Sequence, residues 1–481
     1  MTDKPRVSPA LSSRMAALLQ QKDFLFRLLD GFGSPLNLVL PQQVPENLAG
    51  FSAVYRERSL AGRVFMTHKP NRSRALVRSA AFADCGLDVS SEGELAAALA
   101  AGFHPSRIEA TGPKNPGYLT LCALQDVLIN VDNPAELAQV VALHSSLGRQ
   151  KPLRVMARLD GFSAPGVVMG RQEGIYGFRP EDVPTLFETL AANRTALDFA
   201  GFSAHFLAAT LQQKLVGIAS MLEITFEAMR RGFSPRALDI GGGYPVRHAD
   251  SRDEWQAFLF ELKASVMGQR PSLSWGNSGL GYFVEGDSLR GTPRFSDQWA
   301  DAPGPFELAA LLDAPIEKLD GMSAARLLSE NMLELMVEPG RASYDQCGAT
   351  IARVNHTKSS MQGELLAGLD INRSNLNIHQ LMVMTDPILI SRGGDRKPCE
   401  NGIYYFGNLC VRHEMITSRK TFPDLVPEAG DMVVFPNTAA YQMDFAESRT
   451  LQQRVAEKVA VVQGKDGVFS FVRDELYGAQ P

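Results

Sequence analysis

Lys69 closes the apolar segment Arg63-Val64-Phe65-Met66-Thr67-His68-Lys69-Pro70-Asn71. A lysine at a strand end can project into a ligand site, where its amine can condense with a carbonyl cofactor to give a Schiff base. Alone it reads as readily as a solvated surface charge. Three later segments add weight: Leu238-Asp239-Ile240-Gly241-Gly242-Gly243, Glu338-Pro339-Gly340-Arg341 and Gly407-Asn408-Leu409-Cys410.

Each segment supplies a distinct chemical capacity. Gly241, Gly242 and Gly243 lack the Cβ that would keep a phosphate away from backbone donors, and Arg341 offers a planar, permanent charge. The run is not a dinucleotide fingerprint, because GxGxxG fails at Val246. Glu338 follows the apolar Leu333-Glu334-Leu335-Met336-Val337; it is either an exposed strand-end acid or a partner for a protonated ring nitrogen. His205 ends Phe202-Ser203-Ala204-His205, placing a flat imidazole that either stacks on a ligand ring or sits satisfied in the core. Cys410 alone reads as a buried, inert thiol.

The elements that must position these residues are visible as a pattern. Apolar runs fall at 64–68, 87–90, 107–111, 127–131, 153–157, 199–205, 237–240 and 333–337, separated by helical periodicity at 72–83, 92–101, 134–146 and 211–230. Ser91-Glu92-Gly93-Glu94 has the spacing of a capping box. Eight strands alternating with helices predict an α/β chain with a (β/α)8 barrel of the TIM type, whose site lies at the C-terminal ends of its strands. After Arg341, strand-like runs at 349–354, 364–369, 402–406, 432–435, 459–462 and 468–472 are punctuated by Gly, Pro, Asn and Asp, as in an antiparallel β-domain. The expected domains are an N-terminal segment 1–50 that lends the strand 36–40 to the β-domain, a barrel over 51–345 and the β-domain over 346–481. The Gly-, Pro- and Asp-rich stretch 275–320 reads as an insertion, either surface decoration or a lid.

Bulk properties narrow the class. With 45% apolar and 21% charged residues the chain is of ordinary globular composition, and its net charge of −5 gives no reason to expect nucleic acid or an anionic membrane as partner. The five cysteines, Cys85, Cys122, Cys347, Cys399 and Cys410, show no CxxC spacing, which predicts reduced thiols and no zinc or other metal site. Met1-Thr2-Asp3-Lys4-Pro5 lacks the apolar core of a signal peptide. No segment reaches the ~20 apolar residues of a membrane span, so a cytoplasmic protein is the expectation.

Together these segments resemble the fold-type III pyridoxal-phosphate decarboxylases, the ornithine/diaminopimelate decarboxylase family related to alanine racemase. The resemblance runs from about Leu36 to Tyr441 and beyond. The family's Lys-Ala-Asn is altered here to Lys69-Pro70-Asn71, its Asp-Val-x-Ser-x-x-Glu-Leu stretch is Asp88-Val89-Ser90-Ser91-Glu92-Gly93-Glu94-Leu95, and the Asp-Ile-Gly-Gly-Gly and Glu-Pro-Gly-Arg motifs are intact. The resemblance implies pyridoxal 5′-phosphate bound as a Lys69-linked aldimine, with Asp88 in the cofactor site, His205 stacked on the ring and Glu338 at its nitrogen. It implies a phosphate held by Gly243, Arg341 and Tyr441, with Gly241, Gly242 and Gly340 also in the cofactor site. Cys410 would serve proton return to Cα, reaching the site across the interface of a homodimer, and Glu414 would match an acid a few residues further along the same loop.

Two departures bear on the substrate. The family's acid after the cysteine, which contacts the distal end of the substrate, is Val411 here, and an apolar side chain cannot pair with a distal ammonium. Arg412 or Arg373 can instead meet a carboxylate. Leu207-Ala208 stands where the family has Gly-Ser, which removes a hydroxyl donor from the phosphate site. The reading is an amino-acid decarboxylase acting on a small-molecule amino acid or derivative. Its rivals are a racemase or epimerase on the same scaffold, and a non-catalytic homologue acting as a binding protein.

Overall fold

The alternating pattern closes into a ring. The computed structural model describes residues 4–162, 175–206, 209–377 and 381–478. The first strand, β1 (Leu36–Val39), precedes the barrel strands β2 (Gly62–Thr67), β3 (Gly86–Val89), β4 (Ile108–Ala110), β5 (Leu128–Val131), β6 (Leu153–Arg158), β7 (Leu197–Ser203), β8 (Ala237–Asp239) and β9 (Glu334–Val337). Neighbours pair in parallel in chain order, and β9 pairs with both β8 and β2, so the barrel is closed. All eight strands lie within two residues of their expected limits.

Helices Glu92–Ala101, Pro134–Ser146 and Leu211–Arg230 match their apolar periodicity end to end. The first expected helix is shorter, Arg74–Ala81, because the Ser73 hydroxyl caps it by accepting from Leu76 N. The capping box at Ser91 forms only in half. Ser91 Oγ accepts from Glu94 N at 3.2 Å, but the Glu94 carboxylate accepts from Ser90 N at 2.7 Å rather than returning to Ser91. Its other oxygen lies 3.6 Å from His68 Nδ1, drawn toward the strand ends.

Strand periodicity explains where the barrel changes character. Phe65, Leu128, Met156, Ala200, Ala237 and Met336 form one buried apolar cluster, contributing on the order of 1.5–3 kcal/mol for each large side chain buried. Two residues further along the same strands stand Thr67, Asn130, Arg158, Asp239 and Glu338. A step of two returns to the same face, so the apolar plug gives way to a polar layer at the C-terminal ends. Gly86 leaves room for the plug: a Cβ there would lie 2.4 Å from the Phe65 ring.

Contacts divide the chain into two compact units, 44–245 with 302–343, which holds the barrel, and 1–43 with 246–301 and 344–481. The stretch 275–320 is thus shared, residues 275–301 with the latter unit and 302–320 with the barrel unit. The latter unit carries β10 (Gly348–Ser359), β11 (Leu365–Leu369), β12 (Ile388–Ile390), β13 (Tyr404–Phe406), β14 (Met432–Pro436), β15 (Glu457–Gln463) and β16 (Phe469–Arg473). Its sheet runs β12-β14-β10-β1-β15-β16, with β11 beside β10 and β13 beside β11. All pairings are antiparallel except β1 with β15 and β11 with β13. Alternation sends Ala349, Ile351, Met432 and Val434 into one core, with helices Ser13–Leu19 and Lys22–Phe32, and Ala352, Val354, Val433 and Phe435 into another. Among the described residues no helix is long and apolar enough to cross a membrane.

Candidate active site

Three segments far apart in sequence leave adjacent barrel strands side by side. His205 follows β7, the glycine run follows β8 and Glu338 follows β9. Gly242 N donates to His205 Nδ1 at 3.2 Å, Glu338 N donates to Gly241 O at 2.9 Å, and Gly241 N donates to Asp239 Oδ1 at 2.6 Å. The turn tolerates only glycine. Gly241 and Gly243 have φ of +67° and +85°, and a Cβ at Gly241, Gly242 or Gly243 would lie 2.5 Å from His205 Nδ1, 2.6 Å from Glu338 O or 2.9 Å from Phe206 O. The motif's three glycines are therefore a packing requirement among His205, Glu338 and the turn.

The same contacts fix proton positions. Because His205 Nδ1 accepts a backbone N–H, its neutral ring carries hydrogen on Nε2. Burial, then the charges of Arg158, Lys69 and Lys214, push its pKa down to about 3. It is an uncharged flat ring across the neutral range.

Behind it, Glu109, Asp239 and Glu338 bring carboxylate oxygens within 4.8 Å of one another. Asn130 Nδ2 donates to Glu109 Oε1 at 2.9 Å while Ser203 Oγ donates to Asn130 Oδ1 at 2.7 Å. Glu109 Oε2 and Asp239 Oδ2 are buried with no N–H or hydroxyl donor among the described residues, and the two carboxyls hydrogen-bond to each other through a shared proton. So many carboxylates cannot all ionise in a dry interior. Burial first, then mutual repulsion, raises Glu109 and Glu338 well above the ordinary range. Burial raises Asp239 to about 7 against the Gly241 hydrogen bond.

Lys69 lies exposed in the turn after β2. Its charge acts on three groups around it, favouring the ionised forms of Asp88 and Glu94 and the neutral form of His205. Asp88, on β3, accepts from Thr111 Oγ1; burial raises its pKa to about 6, opposed by that hydrogen bond and by Lys69. Arg158, at the end of β6, lies under Tyr176, 5.0 Å from its ring centroid, and opposes the rise at both Asp88 and Glu338. Gly340 and Arg341 open the one-turn helix Gly340–Ser343.

These residues, from Lys69 to Arg341, belong to the barrel unit; Arg373, Cys410, Arg412, Glu414 and Tyr441 belong to the other. Cys410, Val411 and Arg412 are exposed. Arg373 starts the 3₁₀ turn Arg373–Asn375, and its N–H donates at 2.6 Å to the buried Glu414 carboxylate. Glu414 is thereby engaged in holding its own loop, packed where a Cβ on Gly407 would lie 2.3 Å from Oε1. Tyr441 has φ of +68°, with its ring 6.0 Å from that of Phe445. Leu207-Ala208 lies outside the described residues. Sequence reading gives no site role to Glu109, Arg158 or Lys214, and treats Glu94 only as a helix-capping and motif residue. The available signal was an acid within an apolar strand, as in Ile108-Glu109-Ala110.

The donor set fits pyridoxal phosphate. An exposed lysine, a neutral imidazole, a buried acid whose pKa is raised and a glycine turn that excludes Cβ atoms stand at one barrel end, which matches the carbonyl, ring, ring nitrogen and phosphate of that cofactor. Residues 49–269 match the family described as pyridoxal-dependent decarboxylase, pyridoxal binding domain. An uncharacterised protein, y4yA, of Sinorhizobium fredii is 29% identical over 479 residues, 97% of this chain and 96% of the relative. A diaminopimelate decarboxylase of Methanothermobacter thermautotrophicus is 22% identical over 450 residues, 91% and 89% of the two chains. Among solved structures, a diaminopimelate decarboxylase from M. jannaschii in co-complex with L-lysine superposes with a TM-score of 0.66 at 17% identity, covering 95% of this chain and 94% of that one. Residues 49–269 thus carry a pyridoxal-binding domain of the pyridoxal-dependent decarboxylase kind, and over nearly its whole length the chain is similar to diaminopimelate decarboxylases.

Proposed function

We propose that this protein decarboxylates an amino acid whose distal end is not a bare ammonium, and that it works as a homodimer with shared sites. The observation that carries the decarboxylase reading is the Glu338 carboxyl, set at the end of β9 among Glu109 and Asp239. A racemase limits electron withdrawal with a cation at the ring nitrogen; an acid at that position favours full withdrawal.

Bound pyridoxal phosphate supplies an electron sink for the pair left when the Cα–carboxylate bond breaks. Lys69 Nζ would hold the cofactor through its carbonyl carbon, the carbonyl oxygen leaving as water. His205, uncharged and anchored through Nδ1, orients the ring by its flat face, and Glu338 holds a proton at its carboxyl for the ring nitrogen. Gly241, Gly242, Gly243, Gly340 and Arg341 would seat the phosphate on the barrel unit. Cys410 Sγ returns a proton to Cα from the partner protomer. Val411 supports an apolar or anionic distal group over a diamine precursor, with Arg373 or Arg412 as the cation for a carboxylate.

The test is incubation of the cofactor-loaded protein with D- and L-amino acids in heavy water, read by mass spectrometry. Loss of carbon dioxide with gain of one deuterium at Cα is expected. Deuterium exchange with the carboxylate retained would overturn the proposal in favour of a racemase, and the absence of both would favour a binding protein.

A further inference from the structure

Lys214 sits on helix Leu211–Arg230 with 2% of its surface exposed. Its Nζ donates at 3.0 Å to Gly243 O and at 3.0 Å to Glu307 Oε1, and lies 4.9 Å from the Tyr244 ring centroid. Burying an ammonium is costly, and one carbonyl with one carboxylate recovers only part of its hydration. The pair is also incompletely satisfied, since Glu307 Oε2 is buried without a hydrogen-bond partner among the described residues. Apolar residues of similar volume would fill the space at less cost, so stability alone does not account for the charge. What Lys214 does achieve is local: it grips the carbonyl of Gly243, the third glycine of a turn whose φ of +85° and contact with Phe206 exclude any other residue. Its charge also reaches the site, being one of those that keep His205 neutral.

We propose that Lys214 is a positioning residue of the phosphate seat, locking Gly243 and setting a positive charge behind the glycine turn, with Glu307 as its counter-ion. This rests on the reading of Gly241–Gly243 as the cofactor's phosphate site. A dianion arriving at the turn would gain from the charge, whereas a ligand lacking phosphate would not.

The test compares pyridoxal phosphate with pyridoxal, titrated into the cofactor-free protein and followed by fluorescence and absorbance. Lys214→Met is expected to bind pyridoxal phosphate at least about tenfold more weakly, with pyridoxal affinity changed by less than about twofold. Lys214→Arg is expected to recover most of the difference. Glu307→Gln, which leaves the ammonium unneutralised, is expected to keep or raise the preference for the phosphorylated ligand. Equal losses for both ligands in Lys214→Met would make the residue merely structural and overturn the proposal. Should that variant not fold, a fall in phosphate preference in Glu307→Gln would overturn it equally. If the wild-type protein binds both ligands alike, the phosphate reading of the turn fails, whatever Lys214 does.

Discussion

Lys69 and Asp239 are two residues of the candidate site that differ in how visible they are from sequence. Lys69 follows an apolar run, and its chemistry follows from its type and place. Replacing it with Ala should abolish covalent cofactor attachment: borohydride reduction followed by mass spectrometry should find the pyridoxyl adduct on the wild-type chain and none on Lys69→Ala. Asp239 stands in a motif read for its glycines, yet its carboxyl completes a buried cluster with Glu109 and Glu338 that exists only once β4, β8 and β9 close into the ring. In the unfolded chain Asp239 ionises near 3.8, and in the barrel near 7. Folding therefore favours its protonated form, so its contribution to stability is complete below about pH 4 and is lost as pH rises towards about 7. Asp239→Asn keeps an oxygen for Gly241 N and cannot ionise. Urea unfolding of the cofactor-free protein should find the variant more stable than wild type at neutral pH, by on the order of 1–3 kcal/mol, and the two converging in acid. A constant difference across that range would exclude titration of Asp239 as the cause.

At the scale of elements, local signals carried most of the pattern. Leu211–Arg230 and Pro134–Ser146 are runs of good helix formers with a capping residue, Thr210 or Asn133, directly ahead of them. β12 (Ile388–Ile390) was missed because three residues between Pro387 and Ser391 give no period to read; pairing with β14 defines it. The half-formed capping box was equally out of reach, since Glu94 is diverted by His68 and Ser90 and not by its own helix. The glycine turn is legible as a turn, but the reason it must be glycine is tertiary. Gly241→Ala would force a methyl to within 2.5 Å of His205 Nδ1 at a φ of +67°. It should cost about 1–3 kcal/mol of stability, and it should weaken pyridoxal phosphate binding by displacing the imidazole. Gly148, also at positive φ but with open space around its Cβ position, is the control: Gly148→Ala should pay the smaller strain and leave cofactor affinity unchanged.

The whole molecule sets the last constraint. Each unit has cores of its own, and the candidate chemistry is split between them, with Lys69, His205 and Glu338 on the barrel and Cys410 on the other unit. Cys410 is exposed and is followed by Val411 at 52% exposure. If the site is completed by a second copy, Lys69→Ala and Cys410→Ala should fail for different reasons and complement each other. Each homodimer alone would lack one required group at both sites. On mixing with subunit exchange, half of the dimers would be hybrids, each holding one doubly defective site and one intact site, so activity should recover to about a quarter of wild type. Sedimentation velocity on the same mixture would establish that the exchanging species is a dimer. Recovery on mixing cannot come from sites made within a single chain, because no chain in the mixture carries both residues; its absence under demonstrated exchange would place Lys69 and Cys410 of each site on one chain, or remove Cys410 from the reaction.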